Sequence, residues 1–508
     1  MGTREVRHRS RLPEGRTATA QDLTVHTTAI DGLLLVDVPV HGDNRGWFTE
    51  NWQRAKAVAA GLPDASFVQN NISFNGSRGP TCGIYAEPWD KYVSVATGRI
   101  FGAWVDRREG PGFGTVVTHE ITPGTAVFVP RGVGNAFQTL EEATAYTYLV
   151  TDHWRADATA EYSFVNLGDP QLGIEWPVPL TQAELPDKDR AHPALDDVAP
   201  LAPAPVLVPG ARGQVGLALT ARLSTTGVPF TAWTREELDL ADPASWPAEI
   251  SSGDALRRYR AVVKAAAFTA VDAAETPEGR AAAWAANATS VGALAAACAR
   301  AGTTLVHFST DYVFDGALPL DSAYTTDHPV APLSVYGQSK AAGETAVRAC
   351  PRHYVIRTSW VIGEGKNFVA TMARLAAQGV GPSAVAHQHG RLTAAADLAA
   401  GVLHLVDSGA PYGTYHLTGS GEPCTWGQVA RWVFEDLGHD PARVTPVSTA
   451  EYNGGTNDGA PRPVNSVLDL CSILDAGFTP ADSRAVAREE AAAFDGRRSA
   501  HDGCSPRG

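Results

Sequence analysis

The chain has 508 residues, enough for two or three domains with full cores. Its 44% hydrophobic and 19% charged content is that of a globular protein, and no stretch approaches the roughly 18 uninterrupted apolar residues of a membrane span. A net charge of −14, with no basic block beyond the first twenty residues, argues against non-specific nucleic-acid binding. Residues 1–21 carry Arg4, Arg7, Arg9, Arg11 and Arg16 without an apolar core, so they read as a disordered tail and not as a secretory signal. From 22 to 180, short runs rich in Val, Phe, Tyr and Trp alternate with turn signals, at 33–40, 92–95, 100–105, 126–129 and 146–150. That spacing predicts an all-β barrel or sandwich. Residues 181–204 hold Pro186, Pro193, Pro200 and Pro203 among mixed charges and read as a linker or an extended surface segment. From 205 to 495, apolar runs such as 205–208 and 304–308 alternate with Ala-rich helical stretches such as 279–300, which predicts βαβ units and a doubly wound parallel sheet. Residues 496–508 read as a second tail. Six cysteines (Cys82, Cys298, Cys350, Cys424, Cys471 and Cys504) lie far apart with no CxxC pair. This suits a reducing cytosol and argues against a disulfide framework or a zinc site.

Three features of the second half carry chemistry. The run at 206–208 is followed directly by Gly210-Ala211-Arg212-Gly213-Gln214-Val215-Gly216, a GxxGxxG loop opening a helix. Glycines let the backbone approach a pyrophosphate, and the helix N-terminus supplies N–H groups and a positive dipole. Ser309-Thr310-Asp311-Tyr312 ends the run at 304–308, and Tyr336-Gly337-Gln338-Ser339-Lys340 follows. Tyr and Lys four apart share one helical face. An ammonium near a phenol favours the phenolate and is expected to lower the Tyr336 pKa from about 10, making it a usable proton donor and acceptor. Thr310 can hydrogen-bond a substrate carbonyl oxygen. A YxxxK pair alone is usually a solvated helix face; with the glycine loop and a Ser-Thr at a strand end it points to hydride transfer.

With these motifs, residues 205–480 resemble dTDP-4-dehydrorhamnose reductase, an extended short-chain dehydrogenase. Ala265-Ala266-Ala267-Phe268-Thr269, Arg357-Thr358-Ser359-Trp360, Gln388-His389-Gly390-Arg391 and Ala460-Pro461-Arg462-Pro463 extend the likeness. The resemblance implies a Rossmann-type fold and a catalytic set of Thr310, Tyr336 and Lys340. It implies cofactor contacts from Gly210, Gly213, Gln214, Val215, Gly216, Ala265, Ala266, Ala267, Thr269, Tyr336 and Lys340, the last positioning the ribose, and nucleotide-sugar contacts from Trp360, Gln388, Arg391 and Arg462. Hydride would pass from the nicotinamide to carbon 4 of a keto sugar while Tyr336 protonates the alkoxide. Lys264 and Phe268 depart from the family's usual Asn and Tyr. Arg235, past the second strand, favours NADPH over NADH, since no acid stands there for a ribose hydroxyl.

Residues 25–178 resemble dTDP-4-dehydrorhamnose 3,5-epimerase, a cupin-like barrel, through Asp43-Asn44-Arg45-Gly46-Trp47-Phe48-Thr49-Glu50, Gln69-Asn70-Asn71, Lys91, Phe128-Val129-Pro130 and Gly168-Asp169-Pro170. The implied site holds Arg45, Glu50, Gln69, Asn71, Tyr85, Lys91, Tyr148 as acid and Asp169 as the partner of the base. Epimerisation removes protons alpha to a carbonyl and needs a base of near-neutral pKa. Here Tyr85 stands in the position of the family's His, and Cys82 in that of a diphosphate-binding Arg. A phenol with pKa near 10 is a poor base at neutral pH. The expected protein is therefore a cytoplasmic NADPH-dependent reductase of dTDP-4-dehydro-L-rhamnose, fused to a barrel that binds substrate or dimerises. A homodimer through the barrel is expected, with no nucleic-acid or membrane partner, and no residue is assigned as a metal ligand. Three alternatives stand beside it: a 4-ketoreductase of another deoxysugar nucleotide, a fully bifunctional enzyme with Tyr85 activated by Lys91, and a non-catalytic nucleotide-sugar-binding scaffold.

Overall fold

A computed structural model describes residues 22–65, 67–154, 157–452, 454 and 459–502. The tail expected at 1–21 lies outside the described residues. The chain divides into two units, one ending at Pro203 and one beginning at Ala204.

The first unit is two antiparallel sheets. One has six strands in the order Thr24–Thr27, Leu34–Asp37, Thr125–Val129, Lys91–Thr97, Thr144–Val150 and Gln69–Asn75. The other has five, in the order Ser163–Val165, Thr81–Ala86, Val133–Thr139, Ile100–Asp106 and Val116–Ile121. Side chains alternate across each strand. Trp104, Phe137, Val93, Val95, Val127 and Tyr146 meet in one core. Their strand neighbours Ala103, Val105 and Ala136 turn the other way and join Ile84, Val165, Leu167, Leu172 and Leu195 in a second. This is the expected cupin-like barrel. Leu195 belongs to the segment read as a linker, and so does the short helix Asp187–Arg190, where Asp189 is only 2% exposed. Residues 181–203 are thus part of the barrel unit. Their prolines hold an extended path, but Leu195 and Asp189 find buried partners, which the proline-rich composition does not reveal.

The second unit is built on a six-stranded parallel sheet, ordered Phe230–Trp233, Val206–Pro209, Ala261–Lys264, Thr304–Thr310, His353–Thr358, Gly413–His416. Its strands are apolar on both faces because helices cover both. Val206, Val208, Val263, Val306 and Ile356 pack on the helices Gln214–Thr226 and Ala395–Ser408. The alternate residues Leu207, Val262, Leu305 and Val355 pack with Val291, Leu294 and Cys298 of the helix Ser290–Ala301 and with Val347 of the helix Val335–Val347. The helical stretch Pro277–Ala301 passes the length and composition test for a membrane span, but half of its most apolar window is buried here as a core element. A π-helical turn at Ala285–Thr289 interrupts it. The last helix runs Ser483–Asp502, past residue 495 where the second tail was expected to begin; residues 503–508 lie outside the described residues.

One buried ion pair ties the strand His353–Thr358 to the helix Val335–Val347. Arg357 Nε and Nη2 donate to the two carboxylate oxygens of Glu344 at 2.9 and 2.8 Å, and Ser309 Oγ donates to the same carboxylate at 2.6 Å. Removing one member strands a charge in a dry interior. Arg357→Ala is expected to cost the second unit about 3–5 kcal/mol, read as a lowered urea midpoint for that unit's unfolding.

Candidate active sites

The crevice of the second unit forms where strand ends meet helix starts. Gly210 lies at φ +90°, and a Cβ there would come within 2.3 Å of Ala266 N, so only glycine fits this turn. A Cβ on Gly216 would stand 2.2 Å from Gly210 O. The helix Gln214–Thr226 begins at Gly213 with no side-chain cap, which leaves its first N–H groups facing outward for an anion. Pro209 O accepts from Ala265 N and Ala266 N at 2.9 and 3.0 Å, so the alanine run lies against the glycine loop. Gln214 Nε2 reaches Lys366 O at 3.0 Å, Val215 packs on the sheet core, and Thr269 is exposed. These residues fit a dinucleotide: the turn is close-packed, glycine-lined and next to an uncapped helix N-terminus. Arg235 and Arg212 sit at its outer end, exposed and paired with Asp239 (3.0 Å) and Glu236 (3.3 Å).

Thr310, Tyr336 and Lys340 are all buried, at 6, 9 and 2% exposure. Thr310 ends its strand and caps the following 3₁₀ turn, accepting from Tyr312 N at 3.2 Å and donating to Asp311 Oδ1 at 2.9 Å. Tyr336 is the second residue of its helix, which Ser334 caps through Gly337 N. Lys340 Nζ donates to Phe308 O at 3.0 Å and lies 6.0 Å from the Tyr336 ring centroid. Tyr336, Thr310 and Lys340 thus converge on one strand end.

The Tyr336 pKa differs from the sequence expectation. Burial raises it well above 10, and the Asp311 carboxylate raises it further, while the Thr310 hydroxyl pulls it back. The Lys340 ammonium, 6.0 Å from the ring centroid and bonded to Phe308 O, does not reverse that rise. Burial also brings Lys340 down to about 8, against the pull of Glu344. Lys264, at the family's Asn position, is buried as well. Its Nζ donates to Ala266 O (2.8 Å) and Ala286 O (3.0 Å), and burial with the Lys340 charge lowers it to about 7. It supports the floor of the alanine run.

The four expected substrate residues occupy different settings. Trp360 adopts a left-handed φ of +46°, rare for a bulky side chain, and stacks on Trp426 at 4.0 Å. Gln388 Nε2 donates to Thr449 Oγ1 at 2.9 Å. Arg391 gives its donors to the Gly421 and Leu468 carbonyls at 2.9 and 2.8 Å. Arg462 pairs with Asp272 at 2.8 Å and hydrogen-bonds Tyr312, which brings it beside the Thr310 turn.

In the barrel the structure gathers Cys82, Tyr85, Glu87, Lys91, Tyr148 and Asp189. The Tyr85 hydroxyl donates to Asp189 Oδ1 at 2.5 Å, and Asp189 Oδ2 accepts from Gly83 N at 2.9 Å. Asp169 is not the partner of Tyr85. Its oxygens accept from Gln171 N and Leu195 N at 2.9 and 2.6 Å, so it braces its own turn and ties the segment at Leu195 to it. The sequence signal for Asp189 was hidden in the proline-rich segment. Lys91 forms a buried ion pair with Glu87 and lies over the Tyr148 ring at 5.4 Å, so its charge is not directed at Tyr85. Burial, and then the bond to Asp189, push Tyr85 far above 10. Burial, aided by Glu87, brings Tyr148 to about 12, and burial, against the pull of Lys91, brings Cys82 to about 12. Asn71 pairs in register with Tyr148, and Gln69 donates to Asn71 at 2.8 Å, so both share that face. Arg45 and Glu50 do not join the group: they are exposed and paired locally with Asp43 and Lys56.

A glycine cradle beneath a Thr, Tyr and Lys triad on a doubly wound parallel sheet defines a nicotinamide-dependent oxidoreductase of the short-chain type, here joined to a cupin-like barrel. The family model for the RmlD substrate binding domain matches residues 204–492, and that for dTDP-4-dehydrorhamnose 3,5-epimerase matches residues 27–197. The dTDP-4-dehydrorhamnose reductase of Mycobacterium tuberculosis is 43% identical over 54% of this chain and 88% of its own length. A protein RmlC homolog of Streptococcus pyogenes is 50% identical over 34% of this chain and 90% of its own. The solved Bacillus anthracis dTDP-4-dehydrorhamnose reductase in complex with NADP is 32% identical, covers 56% of this chain and 98% of its own, and superposes with a TM-score of 0.51. The chain belongs to the dTDP-4-dehydrorhamnose reductase family through its second unit and to the 3,5-epimerase family through its first.

The cradle makes a direct prediction. Gly210→Ala forces an L-residue to φ +90° against Ala266, which costs about 1–3 kcal/mol and should abolish dinucleotide binding, measured by fluorescence titration.

Proposed function

We propose that the protein reduces dTDP-4-dehydro-L-rhamnose to dTDP-L-rhamnose with NADPH, and that its barrel holds nucleotide sugar and pairs subunits without epimerising. The observation that carries the first part is the convergence of Thr310, Tyr336 and Lys340 beside the glycine cradle. When bound, NADPH supplies the hydride for carbon 4 of the sugar. Gly210, Gly213, Gln214, Val215 and Gly216 receive its pyrophosphate, and Ala265, Ala266, Ala267 and Thr269 line its path. Arg235, with Arg212 beside it, meets the 2′-phosphate; NADH would fit the same cradle with fewer contacts.

Tyr336 stays protonated across the physiological range, which suits the reductive direction. It delivers its proton to the C4 alkoxide, a far stronger base than a phenolate. Thr310 steadies the ketone oxygen. Lys340 keeps a positive charge within reach of the forming phenolate and is the group that can replace its proton. Arg462 can exchange the exposed Asp272 for the substrate diphosphate. Trp360, Gln388 and Arg391 shape the wall that holds the sugar.

Tyr85 stands where the family has its base. Tyr85 is a proton donor to Asp189 and cannot accept a proton from carbon 3 or 5 near neutral pH. Its edge strand Gln69–Asn75 exposes Ile72 and Phe74 at 69 and 68%, and the hairpin His41–Phe48 exposes Trp47 and Phe48. An apolar edge of this kind calls for a partner, which supports a homodimer through the barrel. The described cysteines are free, in keeping with a reducing cytosol.

Tyr336→Phe is expected to lower keto-sugar-dependent NADPH oxidation about 10²–10⁴-fold while leaving NADPH affinity unchanged. The same variant, incubated with the keto sugar in deuterated water, should take up no deuterium at carbons 3 and 5 by NMR; uptake would show an active barrel. Replacing Ile72 and Phe74 together by Asp should turn the dimer into a monomer in light scattering.

A further inference from the structure

Asp311 has no role in the steps above, yet it is the carboxyl nearest the proton-transfer set. It is 2% exposed. Its Oδ1 takes the Thr310 hydroxyl hydrogen at 2.9 Å, and its buried Oδ2 has no hydrogen-bond partner. The Ser466 hydroxyl lies near enough to steady the charge but gives its hydrogen to His389 O at 3.2 Å. Thr310 Oγ accepts from Tyr312 N, and Tyr336 hydrogen-bonds the same oxygen.

A hydroxyl has one hydrogen. While Asp311 is a carboxylate, that hydrogen is spent on it, and Thr310 has none to offer a ketone. A protonated Asp311 reverses the bond: it donates to Thr310 Oγ in place of Tyr336, whose hydrogen turns to the ketone oxygen, and the Thr310 hydrogen turns to the substrate as well. We propose that Asp311 is a positioning residue for the reduction, acting through Thr310: its protonated form aims the Thr310 hydroxyl at the carbonyl oxygen, and its ionised form withdraws it. This rests on the reductase reading above. The Asp311 proton is not consumed, since Tyr336 supplies the one that reaches the alkoxide.

The surroundings hold this carboxyl near its midpoint at neutral pH. Burial raises it to about 7, against hydroxyl contacts from Ser466 and Thr310. The ionisable groups around it are Tyr312 on its own turn, Tyr336 and Lys340 on the helix Val335–Val347, Arg462 bonded to Tyr312, and His389 on the strand that meets Ser466. Tyr312 and Tyr336 are neutral at pH 7, being raised by burial, and the Lys340 ammonium is engaged by Phe308 O. His389 is held below its usual value, first by burial and then by His387, so it is neutral there too.

The test compares the pH profile of kcat/KM for wild-type protein and Asp311→Asn, whose amide donates to Thr310 at every pH. The wild type should lose activity by about tenfold per pH unit above 7, as the carboxyl ionises. Asp311→Asn should keep the wild-type rate of pH 6 up to about 8, where Lys340 begins to lose its proton. The difference infrared spectrum of wild-type protein between pH 6 and 8 should also show the loss of one protonated carboxyl band, whatever the variant does. The inference is overturned by an unchanged pH profile in Asp311→Asn, by a rate low at all pH in a variant that still binds NADPH, or by the lack of that band. A wild type that oxidises no NADPH with the keto sugar at any pH would instead overturn the reductase reading itself.

Discussion

Lys340 carries an ammonium group into a dry crevice and gives a hydrogen bond to the Phe308 carbonyl. That bond joins the helix bearing Tyr336 to the strand bearing Thr310, so these two side chains cannot drift apart without baring a buried charge. One helical turn on, Glu344 repeats the device with Ser309 and Arg357. Burying ions is costly unless every partner is in place. Here that cost is spent on geometry, because both contacts lie within two residues of Thr310.

The same dryness sets the chemistry. Desolvation disfavours charge in either sign. It lifts Tyr336 and Asp311 and depresses Lys340 and Lys264. A phenol that holds its proton, an amine near its titration point and a carboxyl near its own are thereby held together in one crevice. The barrel shows the opposite use of burial. There the Tyr85 hydroxyl donates to Asp189, and the buried ammonium of Lys91 is paired with Glu87. The two units thus differ in the partners that burial leaves to a phenol.

Much of this was legible in the residues. Glycine spacing, the strand-end Ser-Thr and the Tyr and Lys on one face located the crevice, because they are local patterns whose geometry follows from helix and strand periods. The antiparallel barrel likewise followed from short apolar runs between turns. What escaped was non-local. Asp189 lies in a proline-rich stretch, and nothing in the chain places it against Tyr85, over a hundred residues away. Asp169 had the right residue type in the right family motif, yet its oxygens are taken by Gln171 N and Leu195 N. The direction of the Tyr336 shift was not legible, because spacing gives the distance between phenol and ammonium but not the burial and the Asp311 carboxylate that raise the phenol.

The most direct measurement follows the label from NADPH carrying deuterium on the transferred face of its nicotinamide, with the keto sugar in ordinary water and the product read by NMR. The account predicts one deuterium, at carbon 4 alone, in a product of rhamno configuration. A product labelled elsewhere, or formed with no deuterium at carbon 4, would contradict it.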